Sequence, residues 1–170
     1  KPFYQSSITM GLNPIPLETY CQFAARMFKL GGRGIDEDVV KSVYEDYNGC
    51  TWFMQMMMNE LFALTPIGER CVKDMLPQAK LGIILSQEQT YKETLSQMAP
   101  RQKMLLQAIA RDKEARNITS QEFISRHSLP SASSVQSAAK GLLSSDIITK
   151  DDDAYRIYDY FFSEWLAKVY

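Results

Sequence analysis

The stretch that most constrains this chain runs from Pro100 to Tyr158, where three helical segments precede two short β-rich runs around an acidic turn. Pro100 suits the first turn of a helix, where a missing N–H costs nothing. Leu105, Leu106 and Ile109 then share one face at helical spacing. Thr119-Ser120-Gln121-Glu122 reads as a capping box, with Thr119 capping and Glu122 reaching back. The short second helix it opens carries Phe123 and Ile124 and ends at Ser128-Leu129-Pro130. Ser131 caps a third helix whose apolar stripe is Val135, Ala138, Ala139 and Leu142 or Leu143. Ile147-Ile148-Thr149 and Tyr155-Arg156-Ile157-Tyr158 flank Asp151-Asp152-Asp153-Ala154, a composition suited to a hairpin. Helix, short helix, tight turn, third helix, hairpin is the order of a winged helix-turn-helix.

The rest of the chain supports a second unit. At 170 residues there is room for two small domains, and 45% hydrophobic against 23% charged residues is ordinary globular composition. The net charge of −1 gives no global attraction to nucleic acid or to an anionic membrane. Residues 100–170 carry 10 Lys/Arg against 9 Asp/Glu, so even the winged-helix part is not basic. Cys21, Cys50 and Cys71 have no metal-ligand spacing, and their odd number suggests buried free thiols in a reducing, cytoplasmic setting. No apolar run is long enough for a membrane span, and the sequence shows no signal peptide. The chain begins Lys1-Pro2-Phe3-Tyr4, which suggests a fragment of a longer protein.

In chain order, residues 1–16 read as an extended lead-in, with Ile8-Thr9-Met10 and Leu12 as an edge strand ended by Asn13-Pro14-Ile15-Pro16. A lone strand leaves its edge unpaired, so its sheet is expected upstream. Leu17–Leu30 is a helix with Tyr20, Phe23, Ala24, Met27 and Phe28 on one face, stopped by Gly31-Gly32-Arg33-Gly34. Asp36 caps a second helix with Val39, Val40, Val43, Tyr44 and Tyr47 periodic. After the Asn48-Gly49 turn, a helix from Thr51 through Leu64 is apolar over much of its circumference, as in a buried helix. Ile67 to Met75 is ambiguous. A longer helix over about 78–98 is expected to face Leu81, Ile84, Leu85, Tyr91, Leu95 and Met98 inward. It leads to Pro100 without a flexible linker and reads as a spacer between domains 1–99 and 100–170. An aromatic helix from Tyr160 to Val169 closes the chain.

Catalytic chemistry is sparse. There is no Gly-x-x-x-x-Gly-Lys-Ser/Thr loop, so nothing in this stretch binds Mg-ATP alone. His127 is the single histidine and reads as a helix-end polar residue rather than a ligand. The Met54, Met56, Met57 and Met58 cluster reads as core before partner groove. Three consecutive aspartates suit a solvated turn better than a calcium loop, which needs more ligands and a glycine. Asn117-Ile118-Thr119 matches a glycosylation sequon without a secretory context. No metal site is expected. If the winged helix reads DNA, Ser133, Ser134, Gln136, Ser137 and Lys140 would enter the groove, and Lys150 and Arg156 of the wing would meet phosphates. One cation on the third helix and an acidic wing tip argue against it, since phosphate neutralisation supplies most of the affinity.

Lys1-Pro2-Phe3-Tyr4, Gly11-Leu12-Asn13-Pro14-Ile15 and Asn48-Gly49-Cys50-Thr51-Trp52-Phe53-Met54-Gln55, with their intervening helices, resemble the rear of the AAA+ core. The chain is most similar to prokaryotic ATPases of the archaeal-type family, related to the STAND signalling NTPases. In that family a last core strand leads into a helical lid and then a winged helix. The winged helix closes on a pattern like Tyr155-Arg156-Ile157-Tyr158-Asp159 and an aromatic helix with Trp165-Leu166. The resemblance spans essentially the whole chain and implies a mainly α fold, a lid-like subdomain followed by a winged helix with a β-hairpin wing. It implies that Gly49 and Thr51 lie at a nucleotide-proximal lid turn, although Thr51 stands where the family's Gly-x-Pro element has proline. No arginine stands in Thr51 to Leu64, where some AAA+ relatives place a sensor.

The function implied is the regulatory C-terminal part of an ATP-binding switch. ATP and Mg would be cofactors of the full-length parent, not of this fragment. Its partners would be the intramolecular ATPase core and a protein contacted by the winged helix, with no membrane. The alternative is a DNA-binding regulator with an N-terminal helical dimerisation or sensor domain. An enzyme in its own right lacks any nucleophile–base pair here.

Overall fold

A computed structural model describes residues 13–169. The expected edge strand at Ile8–Leu12 and its lead-in lie outside the described residues. The chain is mainly α and divides into two compact units, Lys1–Ala79 and Lys80–Tyr170.

In the first unit, α1 (Leu17–Leu30) buries Tyr20, Ala24 and Phe28, one residue per turn. It ends as a glycine stop: Gly32 adopts φ +71°, and the Arg33 amide donates to the Phe28 carbonyl at 2.9 Å. Arg33 then fixes the turn, its Nε donating to the Thr65 carbonyl at 2.5 Å and its guanidinium lying 4.2 Å from the Phe62 ring centre. Two strands follow that periodicity could not foresee: β1 (Gly34–Ile35) and β2 (Arg70–Cys71) pair in parallel. Each is two residues long, too short for an alternation to show. β2 and a 3-10 turn (Lys73–Met75) resolve the ambiguous 67–75 segment. Asp36 occupies the N-cap position of α2 (Glu37–Asp46), but its carboxylate accepts from Arg70 Nε at 2.5 Å instead of from a helix amide. In α3 (Thr51–Leu64), Met54, Met57 and Met58 are buried with Phe53 and Leu61, so three of the four methionines are core, and Met56 is half-buried. Of the three cysteines only Cys71 is buried, and Cys21 and Cys50 are half-buried, contrary to the expectation of three buried thiols.

Gly49 joins α2 to α3 at φ +67°, a left-handed conformation that L side chains avoid. A Cβ there would meet the Tyr44 ring at 2.8 Å and Pro14 Cβ at 3.0 Å. The Tyr44 hydroxyl also donates to the Ile15 carbonyl at 2.8 Å, so the ring cannot swing away without losing that bond. Gly49→Ala is therefore expected to cost about 1–3 kcal/mol in a urea denaturation experiment.

The second unit is built on α5 (Pro100–Asp112), which packs against α7 (Ala132–Ser144), α8 (Tyr160–Val169) and β5 (Ala154–Ile157). Pro100 is its first residue, and Leu105, Leu106 and Ile109 are fully buried. Between α5 and α7 lies α6 (Gln121–Arg126). Its N-cap is Ser120, whose hydroxyl accepts from the Phe123 amide at 3.2 Å, so the expected cap at Thr119 is one residue early. With Ser120 at the cap, Glu122 falls outside the N3 position that a capping box requires. Ser131 does cap α7, accepting from the Ser134 amide at 3.3 Å. The wing is β4 (Ile148–Asp151) and β5, turned at Asp152-Asp153, with Asp152 at φ +50° in the left-handed region that a tight hairpin demands. A third strand, β3 (Ala115–Arg116), pairs antiparallel with β5 to give the order β3-β5-β4. It too is only two residues long, bracketed by Lys113 and Asn117 at positive φ.

The helix α4 (Leu76–Ser96) differs most from its sequence reading. Ile84, Tyr91 and Leu95 are buried as expected, with Ile83, but Leu81 and Leu85 are 48% and 60% exposed. The buried stripe at 84, 91 and 95 leaves Leu81 and Leu85 to its side. Tyr91 stacks on Phe162 at 4.9 Å between ring centres, and Trp165 lies 5.7 Å from Tyr91. Lys80 pairs with Glu164 at 2.9 Å, and the Trp165 indole donates to Glu88 at 3.4 Å. From Lys80 onward α4 is thus a packed member of the winged-helix unit. The division falls at Ala79–Lys80, within this helix, where the sequence reading had set it at 99/100.

Asp159 caps α8, its Oδ1 accepting from the Phe161 and Phe162 amides at 2.9 and 3.0 Å. Burial pushes the Asp159 carboxyl above its ordinary value, against these two amides and the Tyr91 hydroxyl, which hold it down. A carboxyl raised in the folded state binds its proton more tightly there. Its contribution to stability is full below the unfolded value of 3.8 and is lost as pH rises through the folded one. Asp159→Asn keeps an acceptor for both amides and removes that slope, so its stability should not fall across this window. Asp159→Ala loses the cap and should cost about 1–2 kcal/mol at neutral pH. Thermal melts at several pH values compare all three proteins.

Candidate nucleic-acid interface

The third helix of the winged unit and the wing enclose an open concavity of about 690 Å³. α7 contributes Ser133, Gln136, Ser137 and Lys140, and the wing contributes Lys150, Asp153 and Tyr155. Five of the seven residues expected at a nucleic-acid contact therefore line one surface. Ser134 and Arg156 do not; the Ser134 amide and hydroxyl are both taken up by the Ser131 cap. Periodicity explains the grouping. With Val135, Ala138, Ala139 and Leu142 buried against the core, residues 133, 136, 137 and 140 must face outward.

The loop Asn117-Ile118-Thr119 completes the concavity and was not foreseen as part of it. Its sequence signals, the sequon and the expected cap at Thr119, pointed to other roles. Pairing of β3 with β5 carries this loop beside Tyr155.

The electrostatics of the surface are modest. Lys150 lies 3.6 Å from Asp153 and 5.5 Å from the centre of the Tyr155 ring, so the wing's cation already has an anion of its own. Arg156, expected to meet phosphates, instead pairs with Glu114. Arg116 binds the same carboxylate at 2.6 Å, and together the two arginines, Arg156 first, hold the Glu114 carboxyl below its ordinary range. This correction has a simple cause: Arg156 is on the opposite side of β5 from Tyr155, so it faces away from the concavity.

His127 is largely buried at the end of α6, its Nε2 3.2 Å from Asp112 Oδ1 and its ring 4.6 Å from that of Phe123. Arg126 reaches the other oxygen of Asp112 at 2.5 Å. These contacts tie α6 to the end of α5 and account for the histidine as a packing residue. Among the described residues no three His, Cys, Asp or Glu side chains gather as a metal site would require. No described helix is long and apolar enough to cross a membrane. In the first unit, Gly49 is buried beneath Tyr44 and Pro14, while Thr51 and Trp52 are exposed at the start of α3.

A helical lid-like subdomain followed by a winged helix-turn-helix with a small hairpin wing is thus the class of fold. Residues 89–168 match a family described as a probable winged helix domain. No curated protein matches the chain in sequence. Among solved structures, the chain is similar to the Walker-type ATPase of Pyrococcus abyssi, at 21% identity and a TM-score of 0.61 over 90% of this chain. It spans 42% of that ATPase chain, and the likeness is one of fold.

Proposed function

We propose that this chain is the lid and winged-helix part of an ATP-dependent switch protein, of the AAA+ and STAND-like type that its sequence resembles. The observation that carries the reading is the fold likeness to part of a Walker-type ATPase across 90% of the chain, which takes in both units. In this reading ATP and Mg bind an upstream core, and Gly49 and Thr51 lie near the nucleotide. The winged helix passes the nucleotide state to that core or to a protein partner in the cytoplasm. Within the winged-helix unit, α4 from Lys80 onward packs onto α8, so the helix that opens this unit is part of its core. The test is the coding sequence upstream of Lys1. A P-loop and an acidic strand within about one domain length, with ATP binding by the expressed full-length protein, would support the switch. A full-length product with no P-loop would overturn it.

A second reading, a DNA-binding regulator, is favoured by one observation, the gathering of Ser133, Gln136, Ser137, Lys140 and Lys150 on one surface. Two lysines, one already paired, neutralise few phosphates. Fluorescence anisotropy with a short duplex is therefore expected to give a Kd of about 100 µM or weaker at physiological salt, the weak end of non-specific binding. A salt-dependent Kd below about 1 µM, lost in Lys140→Ala, would make this the leading reading.

A further inference from the structure

We propose that the groove between α1 and α3 binds an uncharged small molecule with an aromatic or acyl body and a carbonyl acceptor, which takes the hydrogen bond of the Tyr20 hydroxyl. This inference lies within the first unit and stands independently of the ATPase reading.

Three observations carry it. First, the groove encloses about 300 Å³, the lower end of the size range of ligand pockets. Second, its walls are Phe23, Met27 and Phe28 of α1 and Met58 and Phe62 of α3, and among the described residues no charged side chain lines it. An ion entering it would shed its water and find no counter-charge, so a neutral ligand is selected. Gln55 and Asn59, one helical turn apart on α3, supply the side-chain amides of the lining among the described residues. Third, Tyr20 lines the same groove, is 1% exposed, and its hydroxyl has no hydrogen-bond partner among the described residues. Buried tyrosine hydroxyls ordinarily find a partner, and an unmet one costs free energy in the empty protein. Burial pushes this phenol up to about 12, so it remains a proton donor at any physiological pH. A ligand carbonyl would meet the unfilled donor, and the flexible methionines would mould to its body.

The probe is Prodan, a neutral naphthyl ketone whose emission reports both burial and hydrogen bonding to its carbonyl. Titrated into the full chain, it is expected to bind saturably with a blue-shifted emission. In a protein with 13C-labelled methionine methyls, the resonances of Met27 and Met58 should move while that of the exposed Met104 in the second unit stays. Tyr20→Phe is expected to weaken binding about three- to tenfold, the range for one net hydrogen bond. Because the substitution removes an unpartnered buried hydroxyl, the same variant should be as stable as the parent, or more so, in urea. Asn59→Asp, an exposed change that puts a charge at the rim, should weaken binding by a similar factor, and the anion 2-naphthoate should not compete. Non-saturable binding would overturn the proposal. So would shifts centred on Met104, equal affinity for Tyr20→Phe, or competition by naphthoate.

Discussion

Trp165→Ala is expected to destabilise the second unit by about 3–5 kcal/mol, the range for removing a buried aromatic. Trp165 is almost wholly buried and lies against Tyr91 and Phe162, with its indole donating to Glu88. Truncation leaves a cavity that Phe162, on the same short helix, cannot close. It also removes one of the two groups that hold the Glu88 carboxyl below its ordinary range, Lys92 being the larger. The loss should not be confined to α8. Hydrogen exchange of the amides at 83–95 should accelerate, because that half of α4 rests on the same aromatic cluster. Urea denaturation read by circular dichroism gives the magnitude. Unchanged exchange in α4 would mean that its packing on α8 contributes little.

Leu106→Ala is expected to cost about 2–5 kcal/mol, the range for a buried leucine. Leu106 is fully buried on α5, the helix that meets α7, α8 and β5. A leucine at such a junction has neighbours held on several sides, so collapse into the cavity is limited and the cost should fall in the upper half of that range. Met104→Ala, two residues away but 36% exposed, should cost under about 1 kcal/mol. Equal losses at the two positions would contradict the assignment of the α5 core face.

The contrast between those two positions shows why most helices could be read in advance. Leu105, Leu106 and Ile109 recur at helical spacing, and the same rule located Tyr20, Ala24 and Phe28 on α1 and Val135, Ala138 and Leu142 on α7. Pro100, Gly31-Gly32 and Ser131 marked ends because each has a backbone preference that only a helix terminus satisfies. β1, β2 and β3 were hidden for the opposite reason. Two residues carry no period, and their pairing is imposed by the helices that bring them together. Thr119 and Ser120 are near-equivalent caps, so local sequence could not choose between them. Leu81 and Leu85 look like core because they are leucines, and only the position of the aromatic cluster decides which side of α4 is covered.

The candidate surface was legible to a similar degree. Ser133, Gln136, Ser137 and Lys140 followed from the helix period once the buried stripe of α7 was known. Asn117 and Thr119 did not, because their place beside Tyr155 depends on a strand that the sequence did not reveal. Lys150 was identified, but its pairing with Asp153 depends on how the hairpin folds back on itself. The orphaned hydroxyl of Tyr20 is the hardest kind of feature to foresee. Sequence shows a tyrosine on an apolar stripe and says nothing of what its oxygen meets.

The sharing of α4 between two compact units has a consequence for how such proteins recombine. A winged helix cut out at Pro100 would leave Phe162 and Trp165 without Tyr91, and a newly bared aromatic face is an invitation to self-association. The heritable module is therefore longer than the motif that names it. Any shuffling event that transplants this winged helix intact must carry the helix from about Lys80 with it.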